Sequence, residues 1–283
     1  MRGEKLIMPK TLYVTDLDGT LLQNDQTLSA ETVCILNELL DQGLCFTYAT
    51  GRSFNSAAPI TKSLHLTIPV ITRDGCIIAD PRDSREIEIN RISDDMIQKL
   101  RPILAPIMSS CFITTYAKGS ELKLYCKSNS SEGFQQYLEE HVNDKKLASV
   151  SNEEALFDNE ISFFKFIAGF EELEPIYLQV KDDPELSCFL QKDNYSDACW
   201  FSIYPKCATK AAAIQKLQKQ LGCDRLVVFG DSVNDISMCQ IADESCAVAN
   251  ATEDVKAVVT HVIESNMTDS VARWIKEDYA GSK

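Results

Sequence analysis

The stretch "YVTDLDGTLL", residues 13–22, places two aspartates one residue apart at the point where an apolar segment ends. The residues Thr11–Thr15 are mostly β-branched, apolar or aromatic, which predicts a short buried strand, and Gly19 is the breaker after it. Asp16 and Asp18 then share a tight loop. Two carboxylates this close repel each other unless a cation or a shared proton lies between them. The stretch therefore predicts a strand that ends at a site for a positive group.

On both sides of a long middle segment, apolar strand segments alternate with amphipathic helices. Strands are predicted at residues 11–15, 44–50, 68–72, 225–231, 245–250 and 261–265, and helices at 29–43 and 208–222. This alternation is typical of a parallel sheet that helices cover on both faces. Ligands bind such sheets at the carboxyl ends of the strands. The loop that begins at Asp16, "ATGR" (49–52) and "FGDSVND" (229–235) all lie at such ends.

The middle of the chain, about residues 80–203, has a different order of elements. Helices are predicted at 94–104, 131–141 and 171–181, strands at 111–117, 121–127, 161–168, 186–191 and 199–204, and a polar loop at 142–160. Adjacent strands with short turns such as "AKGSE" (117–121) favour an antiparallel sheet with helices on one face. We therefore predict an α+β domain at 81–203, inserted into an α/β domain made of 1–80 and 204–283.

The net charge of −14 bounds the kinds of partner this chain can have. Nucleic acid and anionic membrane surfaces are disfavoured, although small anions respond to local charge. The eleven cysteines are irregularly spaced and include no C-x-x-C pair, which favours buried thiols in a reducing compartment over disulfides or a zinc site. The first ten residues lack the apolar run of a signal peptide, and no segment approaches membrane-spanning length. We therefore expect a cytoplasmic protein.

The stretch "GDSVNDISM" (230–238) supplies two more carboxylates. Asp231 and Asp235 are four residues apart, so they lie one turn apart on one face if a helix begins here. Oxygen-only ligands suit a hard divalent cation, and Mg²⁺ in particular where the site keeps waters. A capped helix start, with Asp231 as the N-cap and Asp235 in the first turn, explains the same residues. Both interpretations can hold together, so this stretch alone does not decide between them.

Two further residues point to an anion. Lys210 falls in the first turn of its predicted helix, where the helix dipole disfavours a cation. An anion held between this lysine and the helix N-terminus would explain its position, although a solvated lysine is also compatible with it. Thr50 is a strand-end hydroxyl followed by Gly51, a pattern that fits either a simple turn or a donor to phosphate beside a flexible backbone.

Taken together, these motifs resemble those of the haloacid dehalogenase superfamily phosphatases, in particular the Cof-like group. The matching segments are "DLDGTLL" (16–22), "TGRS" (50–53), "KAAAIQKL" (210–217), "GDSVNDISM" (230–238), "AVANATEDVK" (247–256) and "SNMTDSVA" (265–272). They follow the family's order, and the long insertion lies between the second and the third. The resemblance implies a Rossmann-like parallel-sheet core with an inserted α+β cap domain that determines substrate specificity.

The resemblance also implies an Mg²⁺-dependent phosphatase that hydrolyses small phosphorylated metabolites, with sugar phosphates the commonest expectation. Asp16 would be the nucleophile that forms an aspartyl-phosphate, and Asp18 the general acid and base. The metal would be bound by Asp16, the backbone carbonyl of Asp18, Asp231 and Asp235, the last either directly or through a water. The phosphoryl group would be bound by Thr50, Gly51, Lys210 and Asn234.

One residue departs from the family pattern. Asp74, in "TRDGC", stands where the family often has an asparagine near the substrate entrance, so the usual contact there is in doubt. Two alternatives to a phosphatase stay open at this point. One is a phosphomutase of the phosphomannomutase type, which would transfer phosphate within a sugar. The other is a non-enzymatic protein that binds phosphorylated metabolites as a sensor.

Overall fold

The computed structural model describes residues 10–117, 120–126, 130–192 and 198–281. Its contacts divide the chain into two compact units. The core unit comprises Met1–Glu88 and Thr209–Lys283, and the middle unit comprises Ile89–Ala208. Across the described ranges, none of the helices has both the length and the apolar character that crossing a bilayer requires.

Within the described ranges, the strands and α-helices of both units have the following bounds in chain order. The strands are β1 (Thr11–Thr15), β2 (Cys45–Tyr48), β3 (Val70–Thr72), β4 (Ile77–Ala79), β5 (Glu86–Ile89), β6 (Cys111–Ala117), β7 (Ser120–Cys126), β8 (Leu147–Val150), β9 (Glu160–Ala168), β10 (Leu186–Lys192), β11 (Cys199–Pro205), β12 (Arg225–Gly230), β13 (Glu244–Ala247) and β14 (His261–Val262). The α-helices are α1 (Ala30–Asp41), α2 (Phe54–Thr61), α3 (Asp94–Leu104), α4 (Glu132–Glu140), α5 (Phe170–Val180), α6 (Lys210–Leu221), α7 (Ile236–Ile241), α8 (Glu253–Lys256) and α9 (Ser270–Gly281).

A parallel sheet forms the centre of the core unit. Its strand order is β14-β13-β12-β1-β2, and every adjacent pair is parallel. The two central strands bury their apolar side chains almost completely, among them Leu12, Tyr13, Val14, Val227, Val228 and Phe229. Helix α1 packs on α9, and α6 packs on α7. The predicted α/β class with a parallel-sheet core is therefore confirmed.

Capping residues set the helix ends that matter for the site. The Thr209 side chain accepts from the N–H of Ala212 and caps α6, so Lys210 is the first residue of that helix, as predicted. Gly222 ends α6 in the left-handed conformation, at φ +61°. Ser29 caps α1 in the same way, accepting from the N–H of Thr32 at 2.9 Å.

Three core elements do not follow from the apolar pattern. Helix α2 carries Pro59 and buries few side chains, so its composition gives a weak helical signal. Strands β4 and β5 continue the chain after β3 in a separate three-stranded sheet, β3-β4-β5. That sheet meets the parallel one through a bridge between Ala49 and Ile71.

The middle unit contains a six-stranded sheet of order β10-β11-β9-β6-β7-β8. Helices α3 and α5 cover one face through an apolar cluster that includes Met96, Leu100, Ile113, Phe164, Phe166, Leu173, Ile176, Phe201 and Ile203. Helix α4 packs on the opposite face, where Tyr137 stacks on Phe112 with ring centroids 5.1 Å apart. The prediction that all helices lie on one face is therefore wrong, because α4 has aromatic partners on the other.

The prediction of a loop at 142–160 is also wrong in part. Residues Leu147–Val150 form β8, which pairs in parallel with β7, so the sheet is mixed rather than purely antiparallel. The strand is only four residues long and half-buried, which explains why its sequence gives little signal. Ala148 and Val150 pack against the apolar cluster, and this tertiary contact rather than local propensity accounts for the strand.

Candidate active site

The predicted site residues of the core unit meet at one edge of its parallel sheet. Asp16 directly follows β1, Asp231 directly follows β12, and Thr50 lies two residues beyond β2. Because β12, β1 and β2 are parallel neighbours, their carboxyl ends lie side by side. Lys210 reaches the same edge from the start of α6. The structure therefore brings together groups that are far apart in the sequence.

Lys210 lies buried between two carboxylates. Its Nζ donates to Asp16 Oδ1 and to Asp235 Oδ1, at 2.7 Å each. The three side chains are 1%, 8% and 0% exposed, respectively. Burial alone would lower the pKa of Lys210, but the attraction of Asp16, Asp235 and Asp74 outweighs it and raises this pKa above its usual value. The lysine is therefore a permanent cation that fixes the orientation of Asp16.

Asp16, Asp231 and Asp235 form a compact acidic cluster. One carboxylate oxygen of each lies within 4.8 Å of the others. Thr20 donates to Asp231 Oδ1 at 3.1 Å and Ser232 donates to Oδ2 at 3.0 Å. Burial raises the pKa of Asp231 to about 6, and repulsion from Asp235 adds to the effect. The cluster therefore concentrates negative charge that a bound cation would neutralise.

Gly19 is required by the close approach of its loop to this cluster. The residue has φ +76°, and a Cβ atom at this position would overlap the Asp231 carboxylate. An alanine would therefore be unfavourable both in its backbone conformation and in its contacts. The glycine that the sequence indicates as a strand breaker also lets the first loop pack against the end of β12.

The alternative explanation, in which Asp231 is the N-cap of a helix, is wrong in detail. Ser232, not Asp231, is the N-cap, and it forms a capping box with Asp235. Asp235 Oδ2 accepts from the backbone N–H groups of Asp231 and Ser232, at 3.0 Å each. A short 3₁₀ turn, Val233–Asp235, precedes α7. Both oxygens of Asp235 are thus engaged in hydrogen bonds, so this residue is suited to holding Lys210 and the loop in place.

The donor set fits a hard divalent cation. Asp16 and Asp231 offer carboxylate oxygens at adjacent strand ends, and oxygen donors are what hard cations select. Lys210 engages Oδ1 of Asp16, so Oδ2 is the oxygen that can act elsewhere. Burial and, after it, repulsion from Asp235 raise the pKa of Asp231, and a divalent cation would offset both effects.

The loop after β2 and the loop after β3 pack together beside this cluster. The buried Thr50 hydroxyl accepts from the N–H of Arg52 at 3.1 Å, so its own proton stays available to another acceptor. A Cβ atom on Gly51 would lie 3.2 Å from Asp74 Oδ2, which makes a side chain there tight. Asn234 donates its amide to Asp74 Oδ1 at 3.0 Å. Asp74 therefore adjoins two of the four predicted phosphate-binding residues, Gly51 and Asn234.

Asp18 lies apart from the acidic cluster and pairs with a residue to which the sequence assigned no role. Its carboxylate accepts from Arg52 Nε at 2.7 Å and from Nη2 at 2.5 Å. The Asp18 side chain is 48% exposed. Arg52 stands inside the quoted segment "TGRS", directly after Thr50 and Gly51, and that adjacency is the signal that could have identified it. Thr20 and Ser232, which hold Asp231, were missed as well.

Comparison with known proteins agrees with this geometry. A sequence model of the haloacid dehalogenase-like hydrolase family matches residues 13–275. The chain belongs to this family. The resemblance inferred from the motifs is therefore confirmed.

The alignments with similar proteins cover almost the whole chain. The 5-amino-6-(5-phospho-D-ribitylamino)uracil phosphatase YitU of Bacillus subtilis is 23% identical, with 95% of this chain and 97% of the relative aligned. Phosphatase YwpJ of the same organism is 26% identical, with 94% and 98% aligned. A haloacid dehalogenase-like hydrolase from Bacteroides thetaiotaomicron shares the fold with a TM-score of 0.74, at 19% identity and over 95% and 99% of the two chains. The chain is accordingly a phosphatase of the haloacid dehalogenase-like family.

In this phosphatase, Asp231→Asn is expected to stabilise the metal-free protein at pH 8. The pKa of about 6 in the folded protein exceeds the ordinary 3.8, so the folded state binds more protons than the unfolded state between these values. The contribution of Asp231 to the free energy of unfolding therefore falls as pH rises through this window and stays low above it. Removing the charge should recover about 1–3 kcal/mol at pH 8 and little at pH 4.

Urea unfolding in EDTA and in Mg²⁺ measures this effect. Mg²⁺ should stabilise the wild type but not the Asp231→Asn protein. The exposed Asp254→Asn is the matched control and should change neither value. A variant that is less stable than the wild type in EDTA at pH 8, or that Mg²⁺ still stabilises fully, would contradict the role given to Asp231.

Proposed function

We propose that this protein is an Mg²⁺-dependent phosphatase of small phosphorylated metabolites that works through an aspartyl-phosphate on Asp16. The observation that supports this most directly is the Asp16–Lys210–Asp235 arrangement at the end of β1. Lys210 holds Oδ1 of Asp16 and leaves Oδ2 as the attacking oxygen. Nucleophilic carboxylates in phosphoryl transfer require this kind of fixed orientation.

In the first step, Asp16 Oδ2 attacks phosphorus and the bond to the leaving-group oxygen breaks. The electron pair departs with that oxygen, which takes a proton from the Asp18 carboxyl group. In the second step, a water attacks the same phosphorus and gives its proton to Asp18. Asp16 is released as a carboxylate together with inorganic phosphate, so the two steps regenerate the starting enzyme.

The remaining site residues stabilise the negative charge of the phosphoryl group. Lys210 faces the non-bridging phosphoryl oxygens as well as Asp16, and the Thr50 hydroxyl, Gly51 N–H and Asn234 amide supply neutral donors. Asp16, the Asp18 carbonyl and Asp231 would hold Mg²⁺, which would supply positive charge to offset the negative charge of the substrate. Asp235 orients Lys210 and the loop, and would be a metal ligand directly or through a water.

We propose further that the middle unit is the cap that selects the substrate, corresponding to the domain predicted at 81–203. Its own apolar cluster and six-stranded sheet support a unit that can vary independently of the chemistry. One relative is named for a substrate that carries phosphate on a ribityl chain. Phosphate esters of sugars and of sugar-derived chains are therefore the first substrates to test, in line with the expectation from the motifs.

Phosphate release from p-nitrophenyl phosphate and from a panel of sugar, ribityl and nucleotide phosphates tests the proposal. Activity should require Mg²⁺ and fall at least about 100-fold after EDTA treatment. Ca²⁺ should not replace Mg²⁺, because it favours higher and looser coordination. Full activity after exhaustive EDTA treatment would contradict the proposed requirement for Mg²⁺. Binding without hydrolysis would indicate a sensor, and a requirement for a sugar bisphosphate would indicate a mutase.

A further inference from the structure

Arg52 is fixed from several sides in the core unit. Its guanidinium donates through Nε and Nη2 to the two oxygens of Asp18, through Nη2 to Gln26 Oε1 at 2.7 Å, and through Nη1 to Ser56 Oγ at 3.4 Å. Its backbone N–H donates to Thr50 Oγ1, and its carbonyl accepts from the N–H of Arg73 at 3.0 Å. The side chain is 18% exposed.

The turn that carries Gln26 is built to present this side chain. Gln26 has φ +63°, a left-handed conformation that is unfavourable for a residue other than glycine. Two backbone hydrogen bonds close the turn, from Gln26 to Gln23 at 2.8 Å and from Gln23 to Thr27 at 2.9 Å. A strained turn that holds a side chain against Arg52 indicates that the position of the guanidinium matters.

We propose that Arg52 is a positioning residue that aims the carboxyl group of Asp18 at the leaving-group oxygen. This inference rests on the proposed function, because it concerns the residue assigned there as general acid and base. An exposed aspartate on a loop can adopt several side-chain orientations. The two hydrogen bonds from the planar guanidinium restrict the Asp18 side chain to one orientation. Either hydrogen bond can break while the other still anchors the carboxyl group.

A different role for Arg52 gives different expectations. The nearby Asp16 contributes to the raised pKa of Arg52, after the hydrogen bonds to Asp18, so the guanidinium lies within electrostatic reach of the nucleophile. If its main role were to bind the phosphoryl group, its loss would raise KM for every substrate and weaken inhibition by inorganic phosphate. If it aims Asp18, its loss should instead lower kcat, and most for leaving groups that need a proton.

The test compares Arg52→Gln with the wild type on an alkyl phosphate and on p-nitrophenyl phosphate. The kcat for the alkyl ester should fall about 10- to 100-fold, and that for p-nitrophenyl phosphate should fall at least about 5-fold less, because p-nitrophenolate departs with little protonation. KM and the inhibition constant of inorganic phosphate should change less than about 3-fold for an aiming role. Arg52→Lys keeps the charge but cannot donate to both oxygens of Asp18 in the same planar geometry, so this variant should behave like Arg52→Gln.

A double-mutant cycle separates this inference from the proposed function. In an Asp18→Asn background, Arg52→Gln should add no further loss on the alkyl ester, because its effect acts through Asp18. The matched control is Arg273→Gln, which breaks an exposed arginine–carboxylate pair with Glu31 outside the site and should leave both substrates unchanged. Additive losses, or equal losses on both substrates, would overturn the inference. Failure of Asp18→Asn itself to slow the alkyl ester would overturn the general-acid role instead.

Discussion

Asp16→Asn is expected to abolish turnover, whereas Asp18→Asn should slow it and trap the intermediate. The Asp16 variant loses the attacking oxygen, so kcat should fall on the order of 10⁴-fold or more on every substrate. An asparagine keeps an oxygen that can accept from Lys210, so the fold should survive. The Asp18 variant keeps the nucleophile but loses the proton donor, so turnover of poor leaving groups should fall about 10²- to 10⁴-fold.

The two variants differ most in covalent labelling. With phosphate-labelled p-nitrophenyl phosphate, Asp18→Asn should form the phosphoryl-enzyme but hydrolyse it slowly, because the base for water is missing. After acid denaturation this protein should carry a label that hydroxylamine removes, and the Asp16 variant should carry none. Circular dichroism and thermal melting would control for folding. Near-normal turnover by a folded Asp16→Asn protein would show that the proposed mechanism is wrong.

The sequence predicts the centre of the parallel sheet well because the strands β1 and β12 are buried on both faces. A short continuous apolar run that is bounded by turn residues, such as Leu226–Phe229, indicates a central strand. The ends of α6 follow from local chemistry, since Thr209 and Gly222 are strong capping residues. Elements that depend on distant partners are harder to predict. Strand β8 has no pattern of its own, and β7 provides its hydrogen bonds.

In the site, too, features set by local sequence could be predicted and features that depend on distant partners could not. Asp16 and Asp231 could be named because the carboxyl ends of parallel strands converge, and Lys210 because a cation in the first turn of a helix points to an anion. The structure brings the three together. Their hydrogen-bond partners could not be named, because the choice depends on distances of a few tenths of an ångström between loops far apart in sequence. Asp235 illustrates the limit. Its spacing from Asp231 suggests a second metal ligand, yet both of its oxygens are already engaged.

Asp74 is a further case in which the sequence raises a question that only geometry addresses. The sequence predicts an altered contact near the substrate entrance. In the folded protein its carboxylate accepts from Asn234 and lies against Gly51, and its backbone has φ +53°. Aspartate and asparagine both tolerate this left-handed conformation, so the backbone requirement is met by either residue. The charge therefore distinguishes this chain, and its proximity adds to the raised pKa of Lys210.

Lys210→Met is expected to destabilise the metal-free protein by about 3–5 kcal/mol and to abolish activity. Methionine replaces the long side chain with little change in volume, so the main loss is the charge. Asp16 and Asp235 are then left as buried carboxylates without the ammonium that each now contacts at 2.7 Å. The exposed Lys219→Met, on the same helix, is the matched control and should change stability by less than about 0.5 kcal/mol.

The pH dependence of this loss distinguishes a charge effect from a packing effect. Without the lysine, the pKa of Asp16, which burial already raises, should rise further, so the folded variant binds a proton that the unfolded chain does not. The deficit in the free energy of unfolding should therefore be largest at pH 8 and shrink towards pH 5, where Asp16 takes up a proton. Adding Asp235→Asn should recover part of the lost stability at pH 8, because one of the uncompensated charges is removed. A deficit that is constant from pH 5 to pH 8 and unaffected by Asp235→Asn would mean that Lys210 stabilises the site by its packing rather than by its charge.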